Sequence, residues 1–348
     1  MNTKSKVKLI LIGVIVIALI AGGVLFFKKG NNVEISNNNN NNNQGDQKQE
    51  EIKNLSPISG IECENYNRRP FAIMLASDEI TRPLSGVGAA DLVVEMPVIT
   101  NGITRLMAVF QCESPDEIGS VRSARHDFIP LALGLDAIYG HWGGSHYALD
   151  KLNAGIIDNI DALINPYSAY FRKLGIEAPH NGFTSTDAFL NAAKKLNYNL
   201  QNNFSGYPHS ENAKAKIEQN GKLKIDYAVP VYFDYNHETN LYARWRNNKR
   251  EIDKNNGNQV QASVVVVMRA QSTMIEPPSY NDVEVEGSGN ATIYQNGEEI
   301  QATWEKKGAY STSKLTFYGN DGKEIKFTPG KIWIEIVEPS QNITWELY

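Results

Sequence analysis

The chain predicts an α/β amino-terminal domain, a mixed sheet with flanking helices, followed by an all-β carboxy-terminal domain, with a transmembrane helix ahead of both. Three observations predict it. Leu9–Phe27 is nineteen residues without a charge. Between residues 66 and 224, short apolar runs alternate with segments of helical period. From Ile225 to the end, short alternating runs are joined by Asn296-Gly297 and Asp321-Gly322, and no helical period remains.

The apolar segment is long enough to span a bilayer. Lys4, Lys6 and Lys8 precede it and Lys28-Lys29 follow, so the tail 1–8 is expected in the cytoplasm and the bulk of the chain outside it. A cleavable signal peptide is the rival reading, but Ala18-Leu19-Ile20-Ala21 is a poor small-residue site. The apolar run also continues through Val24–Phe27, which favours an uncleaved, single-pass anchor. Residues 28–65 follow as an Asn-rich disordered tether and lead-in, with asparagine unbroken from Asn37 to Asn43. As a flexible coil the tether reaches roughly 25 Å.

The first thirty residues hold five of the 34 lysines and arginines and none of the 39 acids. The remainder therefore sets 29 basic residues against those 39 acidic ones, which argues against nucleic acid as the main partner. A local basic pocket remains compatible with that balance. Hydrophobic content of 41% and charge of 21% suit a folded chain. Cys63 and Cys112, both outside the membrane, could bridge and close a loop of roughly fifty residues, worth ~3–4 kcal/mol, or remain two buried thiols.

In the α/β part, Phe71–Ser77, Asp91–Val98 and Thr104–Gln111 read as strands, and Glu95 is an acid among apolar neighbours. Ser123 is placed to cap a helix through Phe128, Ile129, Leu131, Ala132 and Leu135. Ala137–Trp142 is the next strand, ending in Gly143-Gly144, and Ser145 opens a helix through Leu149 and Leu152. Ser185 or Thr186 caps a further helix from Asp187 to Leu196, and Glu211–Gln219 offers one more. In the β part the expected strands are Val229–Tyr235, Leu241–Arg246, Gln259–Met268, Ala291–Gln295, Glu299–Trp304, Lys314–Tyr318, Lys323–Thr328 and Lys331–Glu338.

The candidate site is the stretch from Gly102 to Leu152. A strand, a glycine turn and a helix start with arginines close by suit an anion. Arg105, Arg122, Ser123, Arg125 and His126 form one part of the expected ligand-binding set. His141, Gly143, Gly144 and Ser145 form the second part, and His180-Asn181 joins from a loop. Structural readings stand beside these. The arginines could pair with Glu95 or Asp136, and His146 could pair with Asp150 at helical spacing. No zinc spacing, Walker sequence, dinucleotide fingerprint or Gly-x-Ser-x-Gly elbow occurs, so no metal and no cofactor is expected.

The runs RPFAIMLAS, RPLSGVGAADLVVE, GITRLMAVFQ, IGSVRSAR, DAIYGHWGGS and APHNGFTS together resemble the YerB-like lipoprotein family of Gram-positive bacteria. The resemblance covers Arg69 to about Ser185 closely and continues through YARW, GSGNATIYQNG, ATWEK and PGKIWIEIVE. It implies membrane attachment and two domains, the first of unknown function and the second β-rich, without an established activity. The chain departs from the family twice. A lipoprotein leader would end in Leu-x-Ala-Gly-Cys, and here Leu19-Ile20-Ala21-Gly22 runs into Gly23, which leaves the hydrophobic helix as anchor. An expected His-x-Asp pair in the β domain reads Arg250-Glu251-Ile252-Asp253.

The expected function is binding of an anionic cell-envelope component, such as an envelope polymer or a lipid-linked phosphate, or of a partner. One rival is an envelope enzyme acting on a phosphate-containing substrate, since the order around SVRSARHDF and HWGGSHYALDKLN resembles the LytR–CpsA–Psr phosphotransferases in pattern. A docking scaffold for another membrane protein is the third reading.

Overall fold

Strand Ile332–Val337, close to the end of the chain, lies beside Leu92–Pro97 from its first third. Its other edge pairs with Val264–Arg269, and both pairings are parallel. It therefore stitches a ten-stranded mixed sheet from both halves of the sequence. The computed structural model describes residues 53–211 and 213–348. Numbered along the chain, the strands of this sheet are β1 (Phe71–Ala76), β2 (Leu92–Pro97), β3 (Thr104–Phe110), β4 (Ile138–His141) and β5 (Asn159–Asp161). The second half adds β6 (Val264–Arg269), β7 (Gly287–Gln295), β8 (Glu298–Lys306), β9 (Thr316–Gly319) and β10 (Ile332–Val337). Their spatial order is β9-β8-β7-β6-β10-β2-β3-β1-β4-β5.

Three short α-helices occur among the described residues: α1 (Phe128–Gly134), α2 (His146–Asn153) and α3 (Thr186–Lys195). The fold is thus β-rich with few helices, and the expected α/β layering is confined to these three segments. One face of the large sheet buries Met74, Val94, Met107, Val266 and Ile334 against Phe128 and Ile129 of α1 and Leu152 of α2. The opposite face presents Phe71, Val93, Val265 and Trp333 to Phe189 of α3 and to a second sheet. That second sheet is antiparallel, in the order Lys249–Arg250, Leu241–Arg246, Val231–Asn236, Gly221–Ile225, Ile343–Leu347, with Gln261–Ala262 also on Leu241–Arg246.

Period-two alternation explains how the second sheet docks. In Leu241–Arg246 the buried residues are Tyr242, Arg244 and Arg246. Two arginines on the inward face need acids opposite them. Glu95 on β2 and Glu335 on β10 are register partners and fully buried. Arg244 donates from Nη2 to Glu95 and, at 3.3 Å, to Glu335 Oε1, and from Nη1 to Glu251. Arg246 donates to Glu95 Oε1 at 2.6 Å and Thr104 Oγ1 at 3.1 Å. Arg82 reaches Glu251 from the other side. The Arg244 guanidinium also lies 4.1 Å from the Trp333 ring centroid.

Several expectations change. Ser123 does not cap α1, because residues 121–124 are held extended: Arg122 N donates to Met74 O, Val121 N to Gly182 O and Ala124 N to Gly143 O. The residue before α1 is Asp127. Ser145 and Ser185 do cap α2 and α3, accepting from Ala148 N and Ala188 N. Glu211–Gln219 forms no helix among the described residues. Its backbone is pinned outward instead, with Lys216 N donating to Asn296 O and Ala213 O accepting from Asn240 Nδ2. Glu95 and Asp136 do not hold Arg122 or Arg125: Glu95 belongs to Arg244 and Arg246, and Asp136 to Arg69 at 3.2 Å. His146 pairs with Glu276, at 3.2 Å, and not with Asp150. The apolar span 9–27, the tail before it and the tether as far as residue 52 lie outside the described residues. Among those described, no helix is long and apolar enough to cross a membrane.

The lead-in from Lys53 is folded. Ser56 Oγ donates to Gln111 Oε1 at 2.7 Å, and Cys63 is bridged to Cys112 with the Cα atoms 5.6 Å apart. Denatured, unreduced chain should show no free thiol to an aromatic disulfide reagent, and two after reduction. Reduction should also lower unfolding free energy by about 4 kcal/mol, the entropy of a loop of this length. Two thiols titrating before reduction would contradict the bridge.

A second prediction concerns Glu335. Burial, and then the adjacent Glu95 charge, pushes its carboxyl up to about 8. Burial opposes ionisation of Glu95 as well, but Arg246 and Arg244 outweigh it and hold that group at about 2. Glu335 thus binds its proton more tightly in the folded chain, so its stabilisation is full below about pH 4.5 and is lost as pH rises toward 8. Glu95 has the opposite sign and loses its contribution only as pH falls below about 4.5 toward 2. Glu335→Gln should flatten the decline in urea midpoint between pH 5 and 8. A slope identical to the parent's would mean Glu335 holds no proton there.

Candidate functional site

A cleft of about 660 Å³ opens where the loop after β1 meets the turn after Leu241–Arg246. Four chain segments build it. Ser77–Pro83 forms one wall, Gly102-Ile103 leads into β3, Val229 lies between strands Gly221–Ile225 and Val231–Asn236 of the second sheet, and Arg246–Ile252 closes the far side. Its floor is the solvent edge of the buried ionic network, since Arg82, Arg246 and Glu251 belong to both. Lys249 and Arg250 add two exposed cations, of which Lys249 pairs with Glu79 and Arg250 Nε donates to Gln259 Oε1 at 2.8 Å. Ile80 and Ile103 stand at the mouth with 70% and 43% of their surface exposed.

Asp78, on the wall, links this cleft to part of the set expected from sequence. Arg122 Nη2 lies 3.4 Å from Asp78 Oδ2 and also contacts His180 Nδ1, while Nη1 donates to Pro179 O. Arg105, at the start of β3, is buried and donates to Ser123 O at 3.0 Å. Burial, and then the neighbouring Arg125 and Arg122 charges, pulls Arg105 down to about 9. Among the described residues no carboxylate forms an ion pair with Arg105 or Arg125. Arg125 is half-buried, and its guanidinium lies 5.2 Å from the Tyr280 ring centroid. Thus Arg105, Arg122, Arg125, the Ser123 carbonyl and His180 do converge. Asn181 faces away, accepting from Arg172 Nη1 at 2.5 Å.

The glycine turn does not join them as an anion cradle. His141 is fully buried, with Nδ1 2.9 Å from Gly143 O and Nε2 3.2 Å from Asn159 Oδ1. The Gly143 amide donates to Asp161 Oδ1 at 2.8 Å, and the Ser145 amide to Ala124 O at 3.1 Å. Gly143 sits at φ +61°, a left-handed conformation that lets the chain turn from β4 into α2. These residues fasten the 122–125 strap, since Gly144 forms a backbone bridge with Ala124.

His126 turns to a different place. Its Nε2 is 2.9 Å from Asp282 Oδ1 and 3.1 Å from Asp127 Oδ1. Burial lowers the imidazole below its ordinary value, with Asp282 opposing that shift. Burial pushes Asp127 well above the usual carboxylate range, the facing Asp282 adding to it.

Sequence reasoning missed Arg82, Arg246, Lys249, Arg250 and Glu251. The alternation of Leu241–Arg246 was the available signal, because it puts two arginines on the face that must be buried. The Arg250-Glu251-Ile252-Asp253 departure now has a structural content. Glu251 neutralises Arg244 and Arg82, and Asp253 accepts from the amides of Gly86 and Gly88 at 3.0 and 2.6 Å.

Comparison with known proteins agrees with this layout. Residues 55–199 match the family model described as the N-terminal domain of a protein of unknown function, DUF3048, and residues 221–334 match its C-terminal domain. A Bacillus subtilis (strain 168) protein named "Putative lipoprotein YerB" is 29% identical over 290 residues, 81% of this chain and 86% of that protein. The crystal structure of YerB from Bacillus subtilis superposes with a TM-score of 0.75 at 28% identity, covering 83% of this chain and 99% of that one. With both domains matched in order along the sequence, the chain belongs to the DUF3048 family of YerB-like proteins.

Proposed function

We propose that this is a membrane-attached, extracytoplasmic binding protein whose cleft takes an anion carrying an apolar portion, such as a lipid-linked phosphate. The cleft carries the reading. Arg82, Arg246, Lys249 and Arg250 line it together with Ile80, Pro83, Ile103, Val229 and Ile252, so cations and apolar walls face one space. Placement outside the cytoplasm is supported by the Cys63–Cys112 bridge, which persists in an oxidising compartment. The relative's name as a lipoprotein supports membrane attachment, for which Leu9–Phe27 supplies an apolar segment here. Binding is favoured over catalysis because the lining includes no histidine or cysteine, and its one serine hydroxyl, Ser77, donates to Thr104 O at 2.6 Å.

Titration of the full chain in detergent with farnesyl pyrophosphate and with inorganic pyrophosphate tests this. The prenyl compound should bind more tightly, and the double variant Lys249→Ala, Arg250→Ala should weaken it about tenfold to a hundredfold without changing the melting temperature. No saturable binding of either compound, or equal binding by the double variant, would sink the proposal. Arg122→Ala should behave differently. It releases the Pro179–His180 loop, so its main effect should be a lowered melting temperature.

A further inference from the structure

We infer that His126, Asp127 and Asp282 form a binding site for one divalent transition-metal ion of the Zn²⁺ or Mn²⁺ kind. One donor atom from each side chain lies within 4.8 Å of the others. Nε2 of His126 faces two carboxylate oxygens at once, at 2.9 and 3.1 Å. A ring nitrogen can give at most one hydrogen, whereas a cation at about 2.0–2.2 Å from each donor satisfies all three.

Charge supports the same conclusion. A cavity of about 190 Å³ opens on these atoms, lined by His126, Asp127, Asp282, Glu284, Glu286 and Tyr310 among others, with no lysine or arginine. Asp127 is only 3% exposed, and among the described residues its ion pair is with His126 alone. A carboxylate buried that deeply beside a second one is held in its charged form only by a cation, and the lining of this cavity supplies no lysine or arginine. The two nearby cations face aromatic rings: Arg125 lies over Tyr280 and Lys151 Nζ is 4.3 Å from the Tyr310 centroid. Nδ1 of His126 is buried without a partner, so nothing in the protein fixes the ring proton on Nε2.

One imidazole with two carboxylates suits Zn²⁺ or Mn²⁺ better than Mg²⁺ or Ca²⁺, which prefer oxygen alone. Three protein ligands leave positions open toward the cavity, where water or an oxygen of a bound molecule completes the shell. The ion would tie strand Tyr280–Val283 to the segment entering α1, which Val283 N already joins by donating to Asp127 Oδ1 at 3.2 Å. The site shares no lining residue with the 660 Å³ cleft, so it stands or falls apart from the proposed ligand.

Calorimetric titration of the chelator-treated full chain with zinc, manganese and magnesium chlorides is the test. One equivalent of zinc or manganese should bind, magnesium should bind far more weakly, and the melting temperature should rise with the bound ion. Asp282→Asn, at a half-exposed position, and His126→Asn should each weaken binding by at least about tenfold. Absence of saturable zinc or manganese binding by the folded parent overturns the inference. So does binding that both variants retain undiminished, which would place the ion elsewhere.

Discussion

Arg244 is buried completely between the two sheets, and Glu95, Glu251 and Glu335 hold it there. A charge in that position costs several kcal/mol in desolvation unless its partners are in place, so the sheets can close on each other in one arrangement only. Glu95 and Glu335 sit side by side on neighbouring strands. A slip of one residue in either strand would turn its acid to the face that packs on α1 and away from Arg244 and Arg246. The network therefore fixes register as well as docking. It also places Arg82 and Arg246 at the cleft, with their charge supported from behind by acids that solvent cannot reach.

How far the fold was legible depended on how local each cause was. Phe71–Ala76, Leu92–Pro97 and the hairpin around Asn296-Gly297 were readable because pattern and turn chemistry lie within a dozen residues. Ser145 and Ser185 announced their helices for the same reason. Glu95 was visible as an acid among apolar residues, but its partner stands 149 positions later, beyond any local rule. Ser123 failed as a cap because the strap it belongs to is claimed by β1 and the Gly143 turn, both distant in sequence.

The candidate site followed the same division. Arginines 105, 122 and 125, grouped in the expected ligand-binding set, lie near enough for the last two charges to pull the first one down. The Gly143–Ser145 turn had the look of an anion cradle, yet its amides serve Asp161 and Ala124. Short-range spacing rules could not show the His126, Asp127 and Asp282 cluster, because its third member comes from a hairpin 156 residues after the first. The large cleft was equally hidden, being assembled from four separate stretches.

The place of β10 between β2 and β6 bears on how the chain matures. A ribosome delivers residues from the amino end, so β1, β2 and β3 can pair early while one edge of β2 waits for a strand made almost last. Until then, Leu92, Val93 and Val94 lie beside unpaired backbone, the kind of open edge that recruits other chains. The half-made protein is thus at its most adhesive during synthesis. Truncation before Ile332 would leave that condition permanent, however well the first domain is otherwise formed.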